Sequence, residues 1–211
     1  MLLIKKGAEA NLFLENWYEN KVILKRRLSK SYRNPNLDIN IRRFRTSHES
    51  QLLHDAKLAG VSTPTIFSID LAETTIIMQF IDGVQVKQIL NNLPKEDRIL
   101  LCQNIGGAIG RLHKSGIIHG DLTTSNMILT SSKKIYFVDF GLGEHSNSVE
   151  SRGVDLHLMK RAFQSTHYKY VKECFEAVMK GYRNEIGEKK AGEVFKRIKD
   201  IEMRGRYVEE R

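Results

Sequence analysis

The sequence predicts an α+β fold in two lobes, the first strand-rich and the second helix-rich. Short β-branched and aromatic runs crowd the first eighty residues, helical periodicity dominates beyond them, and "IDG" at 81–83 separates the two characters. In order, "LLIKK" and "NLFLENW" read as a strand pair joined by "GAEA", and "KVILKRR" as a third strand. A polar loop holding Pro35 follows. From about Ile39 to Ala59 the pattern turns helical, with Ile41, Phe44, Leu52, Leu53, Ala56 and Ala59 on related faces and Gly60 placed to stop it. "TIFSID" and "TTIIMQF" give two more strands, so the first lobe is five strands and one helix. Beyond the turn, "VKQILNN" reads as a short helix, and Pro94 opens a longer one closed by Gly116. The strands "MIL" and "IYFVDF" come next, with Tyr136 and Phe137 assigned to the core. Helices then run over roughly 150–163, 167–186 and 188–203. The division falls at a nucleotide-binding lobe over 1–80 and a catalytic lobe over 81–211, hinged near Phe80 to Gly83.

Composition narrows the class. The 211 residues suffice for a sizeable core, and 41% hydrophobic with 28% charged content is ordinary for a soluble protein. No apolar run approaches the roughly 18 residues that span a bilayer. "MLLIKKGAEANLF" turns charged too soon for a secretory signal. The expected location is the cytoplasm, with no membrane contact. Cys102 and Cys174 form no C-x-x-C pair and read as buried thiols of a reducing compartment. Net charge is +9, and the excess concentrates between Lys21 and Arg45, where Asp38 faces nine basic residues. Such a block attracts RNA or an acidic partner, or is a solvated basic surface.

The stretch "GIIHGDLTTSNMILT" holds the chemistry. His119, Asp121 and Asn126 sit in a loop between apolar anchors. Asp139 follows "IYFV" and precedes Phe140 and Gly141. Magnesium takes oxygen ligands, often one or two carboxylates with phosphate oxygens and water. Asn126 and Asp139 supply an amide oxygen and a carboxylate, and Asp121 is then free to orient a hydroxyl or water. A lone loop Asp is more often a turn former. The ordered set H-x-D-x-x-x-x-N followed by a strand ending in D-F-G is far more specific. Lys25 alone reads as an exposed strand lysine and Glu49 alone as a surface acid; as a pair they would meet nucleotide phosphates from the first lobe. His119 reads as a structural tie between the loop and the strand before D-F-G. The other histidines show no zinc spacing.

"VILK", Glu49, "HGDLTTSN" and "VDFG" stand in the order of the protein-kinase signature set, and the resemblance covers nearly the whole chain. It implies a bilobal protein-kinase-like fold, with a five-stranded antiparallel sheet and one main helix in the first lobe and a reduced, mostly helical second lobe. It also implies ATP and Mg²⁺ as cofactors. Lys25 resembles the phosphate-binding lysine, Glu49 its ion-pair partner and Asp121 the catalytic base. Asn126 and Asp139 resemble metal ligands, and Gly7, Ala8 and Glu9 the reduced phosphate lid. Met78 matches the gatekeeper, Gln79 and Ile81 the adenine-facing backbone, and Asp155 the buried acid that braces the catalytic loop. Gly120 replaces the arginine that reads an activation-loop phosphate, and no A-P-E follows the short segment after Asp139.

"KGAEA", "VILKRR", "RTSHESQLL", "MQFIDG", "IHGDLTTSNMI", "VDFGLG" and "EMRGR" together resemble the small atypical kinase/ATPase subunit of the KEOPS complex. That resemblance implies a Ser/Thr protein kinase or ATPase that supports threonylcarbamoyl-adenosine modification of tRNA. It implies partnership with the threonylcarbamoyl-transferase subunit and other KEOPS subunits, and tRNA contact through the basic first lobe. The tail with Arg204 and Arg206 carries a weaker expectation of a phosphate- or tRNA-related role. Two other readings stay open: a small-molecule phosphotransferase of the aminoglycoside or choline kinase type, and an inactive scaffold for RNA or protein.

Overall fold

A computed structural model describes residues 1–209, with side chains through Arg204. The tail role expected of Arg206 lies outside the described residues. Strands β1 (Leu2–Lys6), β2 (Ala10–Trp17), β3 (Asn20–Arg27), β4 (Ile66–Asp70) and β5 (Thr75–Gln79) form one antiparallel sheet in the order β1-β2-β3-β5-β4. The central strand β3 pairs Lys25 with Leu12 on one side and Ile76 on the other. The two-residue period of the strand puts Ile23, Lys25 and Arg27 on one face.

Helix α1 (Pro35–Leu58) crosses behind the sheet and starts earlier than the apolar pattern predicts. The Asn34 side chain accepts from the N–H groups of Asn36 and Leu37, and Pro35 opens the first turn, so the loop predicted around Pro35 is a helix start. The expected apolar stripe holds only in the second half, where Leu52, Leu53 and Ala56 are buried. Phe44 is 66% exposed and stacks on His48 instead. The inward face of the first half is polar, with Asp38, Thr46, Glu49 and Ser50 buried. Gly60, with φ +78°, ends the helix as expected.

The second lobe runs β6 (Val84–Gln85), α2 (Val86–Ile89), α3 (Lys95–Lys114), β7 (Ile117–Ile118), β8 (Met127–Leu129), β9 (Ile135–Phe137), β10 (Glu144–His145), α4 (Val149–Thr166), α5 (Val171–Ile186) and α6 (Glu188–Glu209). The predicted strand "IYFVDF" stops at Phe137, because Asp139 takes a left-handed backbone with φ +66°. Phe137 is fully buried, while Tyr136 is only half-buried beneath Lys134. Helices α3 and α5 cross backbone to backbone. A Cβ added at Gly106 would lie 1.9 Å from the Val178 carbonyl oxygen, and one at Gly181 equally close to that of Gln103. The same crossing buries Cys102 against Cys174 as free thiols, with the Cys102 thiol pushed up chiefly by its hydrogen bond with Cys174. Among the described residues no helix is long and apolar enough to cross a membrane.

Candidate active site

The site forms where β3, α1 and the loops around β7 to β9 converge. Lys25 donates to Glu49 Oε1 and to Asp139 Oδ1, both at 2.6 Å. Three parts of the chain, 24 and 114 residues apart from the lysine, thus meet at one amine. Lys25 is 7% exposed and Glu49 1%, so water screens this pair little. Burial pulls the Lys25 amine down, but the two carboxylates outweigh it and raise it above 10.5. Burial likewise pulls the Asp139 carboxyl up, and Lys25 with the Gly141 N–H outweighs it and holds it below 3.8. Lysine and aspartate therefore stand charged at neutral pH.

The loop that carries Asp121 and Asn126 is held from behind by hydrogen bonds to its backbone. Asp155, on α4, accepts from the N–H of His119 and of Gly120, both at 2.9 Å. Asp155 also faces His113 Nε2 at 3.1 Å, whose Nδ1 lies 3.0 Å from the Tyr182 hydroxyl. The loop is thereby tied to α3, α4 and α5 at once. Sequence reasoning missed His113 and Tyr182, since neither carries a motif and the relay exists only through packing. His119 is fully buried, lies with its ring 4.4 Å from Phe140 and accepts from the Asp121 N–H at 3.3 Å. Burial keeps its imidazole below 6.5 despite the neighbouring carboxylates. This is the structural tie expected of it.

Asn126 donates its amide N–H to the Asp121 carbonyl at 3.0 Å and to Asp121 Oδ2 at 2.8 Å. Its amide oxygen makes none of these bonds and remains a ligand for a cation. The Asp139 side chain is 46% exposed, and its left-handed backbone turns the carboxylate out of the strand line. A half-exposed carboxylate and a free amide oxygen fit a hard divalent cation that keeps water and phosphate oxygens as its other ligands. Among the described residues no group of three or more His, Cys, Asp or Glu gathers to hold a metal by itself.

Lys25 and Asp139 stand between two chambers. The first, of about 360 Å³, is lined by Ile4, Leu12, Ile23, Met78, Ile128 and Val138, with Gln79, Phe80 and Ile81 at its edge. Its mostly apolar walls and free polar edge suit a planar base. The Ile81 N–H has no backbone acceptor among the described residues, whereas the Gln79 N–H is taken by the Thr65 carbonyl at 2.8 Å. The second chamber, of about 320 Å³, adds the charged side chains of Glu9, Arg27, Arg45 and Asp121 to apolar walls that include Leu12 and Leu142, with Gly7 and Ala8 at one side. The lid over it is fixed. Glu9 pairs with Arg45 at 2.7 Å, the Ala8 carbonyl accepts from Lys30, and the Gly7 N–H donates to the Ala10 carbonyl at 3.0 Å. Lys25, Glu49, Asp121, Asn126, Asp139, Gly7, Ala8, Glu9, Met78, Gln79 and Ile81 line one chamber or the other, whereas Asp155 and His119 are buried behind the loop. Arg27 also lines the second chamber and carried no sequence signal beyond its two-residue spacing from Lys25.

A five-stranded sheet holding a lysine against a helix glutamate, above a loop with Asp, Asn and Asp, defines a kinase-like site. The chain belongs to the RIO domain family, whose model matches residues 17–179. Within it the chain belongs with KEOPS complex subunit Bud32: the protein of that description from Pyrococcus abyssi is 47% identical over 99% of this chain and 97% of its own length. The probable bifunctional tRNA threonylcarbamoyladenosine biosynthesis proteins of Methanothermobacter thermautotrophicus and Methanocaldococcus jannaschii are 41% and 40% identical over 98% of this chain. The chain spans 37% of the length of each of these two.

Proposed function

We propose that this chain binds Mg-ATP and serves a KEOPS complex as an ATPase or Ser/Thr protein kinase that supports threonylcarbamoyl-adenosine modification of tRNA. The observation that carries the reading is the Lys25 amine, held at 2.6 Å by both Glu49 and Asp139 between a chamber edged by Gln79 to Ile81 and one lined by Glu9, Arg27, Arg45 and Asp121. The geometry supports the following residue roles. The apolar chamber takes the base, with the Gln79 carbonyl and Ile81 N–H at its edge and Met78 behind it. Lys25 turns to phosphate oxygens, and Glu49 keeps it aimed. Asn126 and Asp139 hold Mg²⁺, which supplies neutralisation of the phosphate charge. Asp121 orients the attacking oxygen and accepts its proton. Residues 1–80 form the nucleotide-binding lobe and 81–211 the catalytic lobe, and the location is cytoplasmic.

Hydrolysis is favoured over peptide phosphorylation. The segment after D-F-G folds back, with Glu144 and His145 on β10 paired to Ile118 and Ile117 on β7, and the Ser146 N–H donating to the Gly116 carbonyl at 2.8 Å. The run from Asp139 to the start of α4 at Val149 is short, which leaves little chain to dock an extended acceptor peptide. A place beside other KEOPS subunits and in tRNA modification is supported by the relatives' descriptions, and partnership with a threonylcarbamoyl-transferase subunit and contact with tRNA by the resemblance of the motifs. The basic block supports tRNA contact less than its charge suggests. Lys25, Arg27 and Arg42 are each paired with a buried acid and Arg45 with Glu9 at the surface, so Lys21, Arg26 and Arg43 are the better candidates. The test is ATP turnover by the chain alone, then with the transferase subunit and tRNA added. We expect Mg-ATP binding alone and a rise in phosphate release of at least about tenfold with both partners. Failure of the chain to bind Mg-ATP in any of these mixtures would overturn the reading.

A further inference from the structure

Arg27 is buried in the site, yet none of the roles above uses it. It is 5% exposed, and its Nε has no hydrogen-bond partner among the described residues. A guanidinium in such a place costs free energy unless it holds something. What it holds is Glu49. Arg27 Nη2 donates to Glu49 Oε2 at 2.5 Å, the oxygen that Lys25 leaves free, and lies 3.4 Å from the Arg45 carbonyl. Glu49 thus has two cationic partners, one on each oxygen.

The two partners have different duties. Lys25 spans Glu49 and Asp139, and the function proposed above requires it to turn toward phosphate. A carboxylate 1% exposed cannot lose its only cation without a penalty of several kcal/mol. Arg27 has no second carboxylate to serve, so it keeps Glu49 neutralised and inward while Lys25 is engaged elsewhere. The arginine is itself anchored. Its N–H donates to the Thr74 carbonyl at 3.1 Å, its carbonyl accepts from the Thr74 hydroxyl at 3.1 Å, and Arg42 of α1 donates to that hydroxyl at 2.8 Å. Residues 42, 45 and 49 of α1 fall on one helix face, and all three touch this end of β3 or its neighbour. The head of Arg27 also lies against the D-F-G turn, since a Cβ added at Gly141 would be 3.4 Å from Nη2.

We propose that Arg27 is a positioning residue that locks Glu49, and with it helix α1, in the productive place, so that the site stands assembled without an activating modification. This rests on the Mg-ATP reading. It explains how a chain with Gly120 in place of a phosphate-reading arginine keeps α1 inward. In Gly120, φ is +79° and an added Cβ would lie 2.0 Å from the Leu142 carbonyl oxygen, so no side chain fits there.

The experiment compares R27M, R27K, E49Q and R27M/E49Q in the full chain, reading turnover, Mg-ATP affinity and adenosine affinity. We expect R27M to lose turnover by about 10- to 100-fold, the scale of a misaligned reacting group. Adenosine affinity should stay within about twofold, because the apolar chamber is untouched, and R27K should restore most of the loss. In the E49Q background R27M should add less than about threefold, since the two changes break one interaction. Full turnover in R27M would overturn the proposal. So would an equal further loss in the E49Q background, which would mean that Arg27 meets phosphate directly. A parallel fall in adenosine affinity would reduce Arg27 to a general structural role. Should R27M not fold, R27K and R27K/E49Q carry the same comparison. If the unmodified chain does not bind Mg-ATP, the function and this proposal fall together; if it does and the variants behave additively, only this proposal falls.

Discussion

Asp121 has two acceptors on one neighbour, and this separates its chemical role from its structural one. Its carboxylate and its own carbonyl both receive the Asn126 amide, at 2.8 and 3.0 Å. Removing the carboxylate with Asp121→Ala leaves the carbonyl in place, so Asn126 keeps its orientation and the cation site keeps its oxygen. Mg-ATP affinity should then stay within about threefold while turnover falls by about 10² to 10⁴, the range of a general base. Asp121→Asn should behave likewise, because its amide oxygen can accept the Asn126 N–H in place of the carboxylate while no base remains. Equal loss of affinity and turnover in Asp121→Ala, measured by nucleotide titration and phosphate release, would assign the residue to binding. At this scale the sequence was highly legible. Lys25, Glu49, Asp121, Asn126 and Asp139 stand in the order of the kinase signature set, and the strand, helix and loops that carry them bring them to one site. Arg27 and the His113–Asp155–Tyr182 relay were not legible, since their partners are chosen by packing between distant elements.

Elements were legible in proportion to their length and to how far one physical force set them. The five strands of the first sheet each span five or more residues of apolar, β-branched or aromatic runs, and they lie where those runs put them. Two-residue strands such as β7 and β10 cannot show a period, and they form because the loops they join are already held. Helix α1 misled an apolar count because its first half is fixed by charge. Asp38, Arg42 and Glu49 face inward there, while Phe44 faces out. The α3–α5 crossing shows the opposite case, a contact decided by an absent side chain. Gly181→Ala places a Cβ 1.9 Å from the Gln103 carbonyl oxygen and 2.9 Å from the Gly107 nitrogen, so the helices must separate. We expect a loss of about 1–3 kcal/mol, or roughly 2–10 °C in melting temperature. Gly192→Ala, on α6 with nothing within 4 Å, should be neutral or stabilising by up to about 1 kcal/mol. Thermal melts of the two variants check this, and equal effects would deny that close approach sets the crossing.

For the whole molecule, charge is the property that the sequence shows most openly and explains least. A net +9 suggests a polyanion-binding surface, yet part of the basic block between Lys21 and Arg45 is spent inside, on Asp38 and Glu49, and Arg45 is paired with Glu9 at the surface. What remains visible in solution is the response to acid. Burial lowers His119, His157 and His167 below 6.5, so near that pH the unfolded chain takes up protons that the folded chain refuses. The unfolded state then binds more protons, and stability rises with pH across that window. It should therefore be fully present above about pH 7 and decline as pH falls below 6.5. Asp38 and Asp139 act lower down. Their carboxyls are held below 3.8, Asp38 chiefly by its hydrogen bond from Arg42 and Asp139 by Lys25 against burial, so their contribution is lost only as pH falls beneath that value. Melting temperature should show two steps, one beginning near pH 6.5 and one below pH 4. His167→Gln isolates the first step. His167 stands between the Asn91 side-chain oxygen at 2.7 Å and the Thr124 hydroxyl at 2.9 Å, an arrangement that keeps one ring nitrogen donating and the other accepting. Protonation would set an N–H against the hydroxyl, which can turn its own hydrogen away, so burial rather than this hydrogen bond is the main cost of charging the ring. The variant should lose less of its melting temperature between pH 7 and pH 5 than the parent does, whatever its starting stability. An identical slope in both proteins would place the acid response in general charge repulsion instead of in the buried imidazoles.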